Sequence, residues 1–151
     1  MKEYIAHHEE RFLNELFSLL RIPSISAEPS HHADMLRCAD LWRELLLQAG
    51  ADEAEVMPSD GNPLVFAQKH VSDTAPTVLV YGHYDVMPVA PLELWKSAPF
   101  EPEVRDGRIW ARGADDDKGQ SFLQVKAFEY LVRTGQLRHN VKFILEGEEE
   151  I

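Results

Sequence analysis

Three short stretches carry most of the residue types that could do chemistry. The first is Gly82-His83-Tyr84-Asp85. An imidazole is a good zinc ligand, and a carboxylate two residues on can accept the other ring N–H and fix the tautomer. The second is Arg112-Gly113-Ala114-Asp115-Asp116-Asp117-Lys118-Gly119. One acid at a helix start caps it and complements its dipole. Three in a row, beside glycines, exceed what capping needs, and a carboxylate can hold one divalent cation or bridge two. The third is Glu146-Gly147-Glu148-Glu149-Glu150. On an extended chain adjacent side chains point opposite ways, so one Glu of a pair can face a metal and its neighbour a water that it deprotonates. Each stretch by itself also has a plain structural account: a strand-end turn, a capped helix start, a solvated acidic turn. Their combination is what points to a metal centre.

The elements expected to position them alternate between helix and strand. Ile5, Phe12, Leu13, Leu16, Phe17, Leu19 and Leu20 recur at helical spacing over residues 3–21, and Pro23 ends that helix. Residues 22–30 read as a loop. Ser30 is the expected cap of a second helix with Met35, Ala39, Trp42, Leu45 and Leu46 on one face and Gly50 as its stop. Strands follow at about 54–57, 63–69 and 77–81. The last, Thr-Val-Leu-Val-Tyr, is apolar on both faces and is expected to be a buried central strand. Pro88, Pro91, Pro99 and Pro102 make residues 86–106 a long ordered loop, with Trp95 as its anchor and a short strand at 107–110. A third helix covers 117–134, closed by Gly135, and residues 140–145 form another buried strand. The pattern is that of one layered α/β domain over residues 1–151. All three acidic or His-bearing stretches adjoin predicted strands or a helix start, where α/β sheets place ligands.

Composition excludes several classes. The 151 residues are 44 % apolar and 27 % charged, with 15 Lys and Arg against 26 Asp and Glu and a net charge of −11. That balance argues against non-specific nucleic-acid binding, and no apolar run approaches the roughly 18 residues of a membrane span. The single cysteine, Cys38, sits mid-helix, where it reads as core, and a cytoplasmic setting is expected. No Gly-x-Ser-x-Gly, phosphate loop or Gly-x-Gly-x-x-Gly competes for the chemistry. His7, His8, His31 and His32 read as surface residues, and His70 and His139 as structural.

Gly82 to Val86, Trp95 to Pro102, Arg105 to Gly113, Asp116-Asp117-Lys118-Gly119 and Glu146 to Ile151, together with Leu20 to Ser26, resemble the co-catalytic zinc metallopeptidases. That family includes carnosinase-like dipeptidases, aminoacylases, acetylornithine deacetylase and succinyl-diaminopimelate desuccinylase. The resemblance implies the N-terminal part of a three-layer sheet-and-helix catalytic domain. It implies that His83 binds one zinc, that Asp85 orients His83, that Asp116 bridges two zincs, that Glu149 is the general base and that Glu150 binds the other zinc. Asp115 and Asp117 are then neighbours of the bridge. Zinc is the expected metal, with cobalt or manganese able to substitute. A dipeptide is the expected substrate, the Trp-x-x-x-Pro-Phe-x-Pro stretch favouring it over an N-acyl amino acid. The complete enzyme is expected to be a homodimer. Family members also carry a further acidic ligand, a late histidine ligand and an inserted dimerisation and lid domain, none of them within 151 residues. The chain alone is therefore expected to be inactive or nearly so, and an acidic non-catalytic scaffold is the competing reading.

Overall fold

The computed structural model describes all residues 1–151. Helix α1 spans Lys2–Leu20 and buries Leu16, Leu19 and Leu20, one stripe of its apolar pattern. Helix α2 spans His32–Ala49 and buries Met35, Cys38, Ala39, Trp42, Leu45, Leu46 and Ala49. It stops where Gly50 adopts φ +111°, a left-handed conformation that few other residues take without strain. Ser30 is not its cap. Pro29–His31 form a single tight turn, so the helix begins at His32, and His31 at the cap position bonds Asp34 through its ring Nδ1 at 2.8 Å.

Strands β1 (Glu53–Met57), β2 (Leu64–Lys69), β3 (Thr77–His83) and β6 (Asn140–Glu146) make a four-stranded sheet in the order β1-β2-β6-β3. The β1–β2 and β2–β6 pairs are antiparallel, and β3 runs parallel to β6. Helix α3 (Lys118–Arg133) provides the crossover between β3 and β6. Residues 86–106 hold more regular structure than their prolines suggest. Strands β4 (Glu103–Arg105) and β5 (Arg108–Trp110) form a small separate hairpin turned by Asp106-Gly107, both at positive φ. Trp95 does anchor the loop, donating its indole N–H to the Val89 carbonyl at 3.0 Å beneath the Arg112 guanidinium.

Strand β3 corrects the sequence reading. Its apolar run suggested a central strand, yet it lies at the sheet edge, and β6 is central. Val78, Leu79 and Tyr81 are all exposed. The core explains this. Val65, Ala67, Val141, Phe143 and Leu145 pack under the three helices as one continuous cluster. The opposite face, carrying Leu79 and Tyr81, has no layer over it within these residues. Residues 1–151 thus form two of the three expected layers. No helix is long and apolar enough to cross a membrane.

Candidate metal centre

The chemistry-bearing residues meet at one end of the sheet. His83 is the last residue of β3, and Glu149 and Glu150 follow the end of its parallel neighbour β6. Parallel pairing sets His83 beside Glu146, so both segments leave the sheet at the same end. Asp116 arrives from the turn that opens α3. Side-chain atoms of His83, Asp116 and Glu150 lie within 4.8 Å of one another, with one donor atom from each. The Nε2 of His83 is 3.1 Å from Asp116 Oδ1 and 3.8 Å from Glu149 Oε2.

The other ring nitrogen is committed. His83 Nδ1 lies 3.2 Å from Asp85 Oδ1 and 3.2 Å from the Asp85 carbonyl oxygen, so its N–H donates there and Nε2 faces the acids. Asp85 is fully buried. Burial alone would raise its pKa, but bonds from His83, Ser26 and the Glu150 backbone N–H outweigh that and hold it below the usual carboxylate range. Burial likewise opposes charge on His83. The Asp85 bond and charge, followed by those of Asp116 and Asp117, overcome it and bring the pKa to about 9. Glu150 is pushed the other way, first by desolvation and then by the Asp116 charge. A site that drives a histidine towards its charged form and a carboxylate towards its neutral form gathers negative potential, which a divalent cation relieves. One imidazole nitrogen and two carboxylate oxygens suit zinc, cobalt or manganese.

Asp117 has a task that its place in an acidic run did not reveal. Its Oδ2 accepts the backbone N–H of His83 at 3.0 Å and the Ser121 hydroxyl at 2.6 Å. It fastens the start of α3 to the end of β3, and so sets Asp116 against His83. Asp115 is exposed. The Asp116–Asp117 peptide is cis. The Glu146–Glu150 segment is held by Tyr84, whose N–H donates to the Glu146 carbonyl at 2.8 Å, and by Asn62, whose amide donates to the Gly147 carbonyl at 3.1 Å. Lys118, fully buried, donates to the carbonyls of Leu19 and Ile22 at 3.0 and 2.7 Å and ties α3 to the end of α1. Asn62 and Lys118 could not be assigned from spacing alone, because each acts across many residues of chain. The His83 and Asp85 side chains are nearly closed to solvent, while those of Asp116 and Glu149 are 69 % and 47 % exposed. The centre therefore opens outwards on its acidic side.

Comparison with known proteins gives the same picture. Residues 79–151 match the model of peptidase family M20/M25/M40. The chain is 31 % identical to the probable di- and tripeptidase DUG2 of Saccharomyces cerevisiae, over 95 % of its own length and 18 % of that protein's. It is 32 % identical to the cysteinylglycine-S-conjugate dipeptidase of Corynebacterium striatum, over 95 % of the chain and 32 % of the relative. Among solved structures it superposes on human carnosine dipeptidase 1 with a TM-score of 0.88 and 28 % identity, over 97 % of the chain and 34 % of that protein. It also superposes on an M20 family metallo-carboxypeptidase of Sulfolobus solfataricus with a TM-score of 0.83 and 36 % identity, over 91 % and 31 %. The chain thus spans a fifth to a third of the length of these relatives. In sequence and fold the chain resembles a part of these peptidases, and residues 79–151 carry the likeness to family M20/M25/M40.

Proposed function

We propose that residues 1–151 are the N-terminal part of the catalytic domain of a di-zinc hydrolase that cleaves dipeptides. The observation carrying this is the convergence of His83 Nε2 with the carboxylates of Asp116 and Glu150, while Asp85 occupies the opposite ring nitrogen. In this reading His83, Asp116 and Glu150 would be the residues of this chain that hold two zincs, as the resemblance implies. Zinc bound there would supply Lewis acidity, lowering the pKa of a water towards about 7 and polarising a substrate carbonyl. The proton traffic falls to Glu149. Its carboxylate faces the same opening as His83 Nε2. It accepts a proton from the attacking water and returns it to the amine nitrogen as the C–N bond breaks. A cytoplasmic setting, read from the single cysteine Cys38, and a homodimeric whole protein, implied by the resemblance, belong to the same proposal.

The test is turnover of dipeptides by the intact protein with added zinc. Glu149→Ala should lower kcat by at least 100-fold with metal content unchanged. Equal turnover in the variant would remove Glu149 as the base. Elemental analysis distinguishes the scaffold reading, which requires no bound zinc. The 151 residues alone should hydrolyse dipeptides little above a metal-free blank, because three converging ligands fall short of two tetrahedral zincs.

A deacylase is the second reading. It is favoured by 37 % identity over 127 residues to the succinyl-diaminopimelate desuccinylase of Paraburkholderia xenovorans. Faster cleavage of N-succinyl or N-acetyl amino acids than of dipeptides would select it.

A further inference from the structure

Residues 22–26, Ile-Pro-Ser-Ile-Ser, leave the end of α1 and lie along the backbone of residues 84–86. The Ser24 hydroxyl donates to the Tyr84 carbonyl at 2.7 Å, and the Val86 N–H donates to the Ser24 carbonyl at 2.9 Å. Two residues on, the Ser26 hydroxyl donates to Asp85 Oδ2 at 2.6 Å. The same oxygen accepts the Glu150 backbone N–H at 2.9 Å, and Asp85 Oδ1 takes the Glu149 N–H at 3.3 Å beside the His83 ring. A carboxylate offers about four acceptor sites, and Asp85 has four donors. This one buried group therefore touches three of the functional residues, His83 through its ring and Glu149 and Glu150 through their backbones.

We infer that Ser26 is a positioning residue of the metal centre, which it serves by locking the plane of the Asp85 carboxylate. The torsion that turns a carboxylate is soft, with broad rather than staggered minima. Ser26 and the imidazole are the only side-chain donors to Asp85, one on each oxygen, and together they define its plane. Without the hydroxyl, Oδ2 keeps only the Glu150 N–H, and the carboxylate is held less firmly about its Cβ–Cγ bond. Rotation disturbs the ring of His83 and the register of the Glu149–Glu150 backbone together. A base and two ligands thus depend on a serine nearly 60 residues from the closest of them in sequence. This inference rests on the metal-centre reading above.

The experiment is a cobalt(II) titration of the intact protein, followed by the visible absorption of the bound ion, with Ser26→Ala, Ser26→Thr and Ser26→Val. Thr and Val have nearly the same shape and differ by the hydroxyl, so their comparison stands even if Ala fails to fold. Thr should bind cobalt as the parent does. Val and Ala should bind about 10-fold more weakly, in the range for groups that orient metal ligands, and with an altered absorption band. In dipeptide turnover they should lose kcat with KM little changed. Parent-like affinity and absorption in Val, whatever its melting temperature, would reduce Ser26 to loop packing and overturn the inference. Failure of the parent itself to bind cobalt is a separate result that removes the centre and the Ser26 role with it.

Discussion

Gly82 shows how tightly a single position constrains the centre. A Cβ built there would lie 2.0 Å from Ser121 Oγ and 2.6 Å from Asp117 Oδ2, well inside contact distance. Those are the two atoms that bind α3 to the end of β3 through the Ser121–Asp117 and Asp117–His83 bonds. Gly82→Ala must therefore push Asp117 away from the His83 N–H and carry Asp116 with it. We expect a 10- to 100-fold loss of zinc affinity by calorimetry, the range for disturbed support of a metal ligand. The unmet backbone N–H of His83 should also cost about 1–3 kcal/mol of stability. Parent-like zinc affinity in Gly82→Ala would show that the α3 start can shift without moving Asp116. At this scale the feature most legible in the sequence was the convergence of His83, Asp116 and Glu150. The unusual residue types, an imidazole and dense acids, stood at the ends of predictable elements. What stayed hidden was how Asp117, Ser26 and Lys118 brace it, because their partners lie 34, 59 and nearly 100 residues away.

Elements were legible where periodicity had one interpretation. The α2 stripe of Met35, Ala39, Trp42, Leu45 and Leu46 is buried as expected. Strand β3 was not legible, since an apolar run says that a strand prefers cover and not which neighbour provides it. Helices α1 and α3 are joined by a feature that spacing also could not show, a buried charge cluster. Glu129 on α3 accepts the Tyr4 hydroxyl at 3.1 Å and Lys126 Nζ at 2.8 Å, and it pairs with the Arg11 guanidinium. Burial works against its charge, but Arg11 and Lys126 outweigh this and hold its pKa at about 2. The folded state therefore favours the deprotonated acid. This stabilisation is complete above the ordinary glutamate pKa of about 4.3 and is lost as pH falls through that value towards 2. Its size is about 2–3 kcal/mol at neutral pH. In urea unfolding from pH 7 to 2, Glu129→Gln should be less stable than the parent by about that amount at pH 7, and the two curves should converge at the acid end. A constant gap across the range would show that Glu129 acts through shape and not through charge.

In the whole molecule the candidate metal centre is where three pieces of chain meet: the end of edge strand β3, the turn opening α3 and the tail after β6. Bare, this meeting point gathers Asp116, Glu149 and Glu150 close to one another, and their repulsion works against the fold. A cation reverses that sign and also cross-links residues 83, 116 and 150, which only the folded chain presents together. Ligand linkage then fixes the size of the effect. Zinc at 100 times its dissociation constant should add about 2.7 kcal/mol to unfolding. For a domain of this size that is about 5–10 °C in melting temperature. Scanning calorimetry of the intact protein with zinc and after chelation should show this shift, and His83→Ala should largely abolish it, measured against the chelated variant's own baseline, which is lowered by loss of the His83–Asp85 bond. Non-specific cation screening of the net charge of −11 would raise both proteins alike. Only a shift that disappears with the imidazole identifies the cross-link as the cause, and an equal shift in His83→Ala would assign the stabilisation to the acids without a centre.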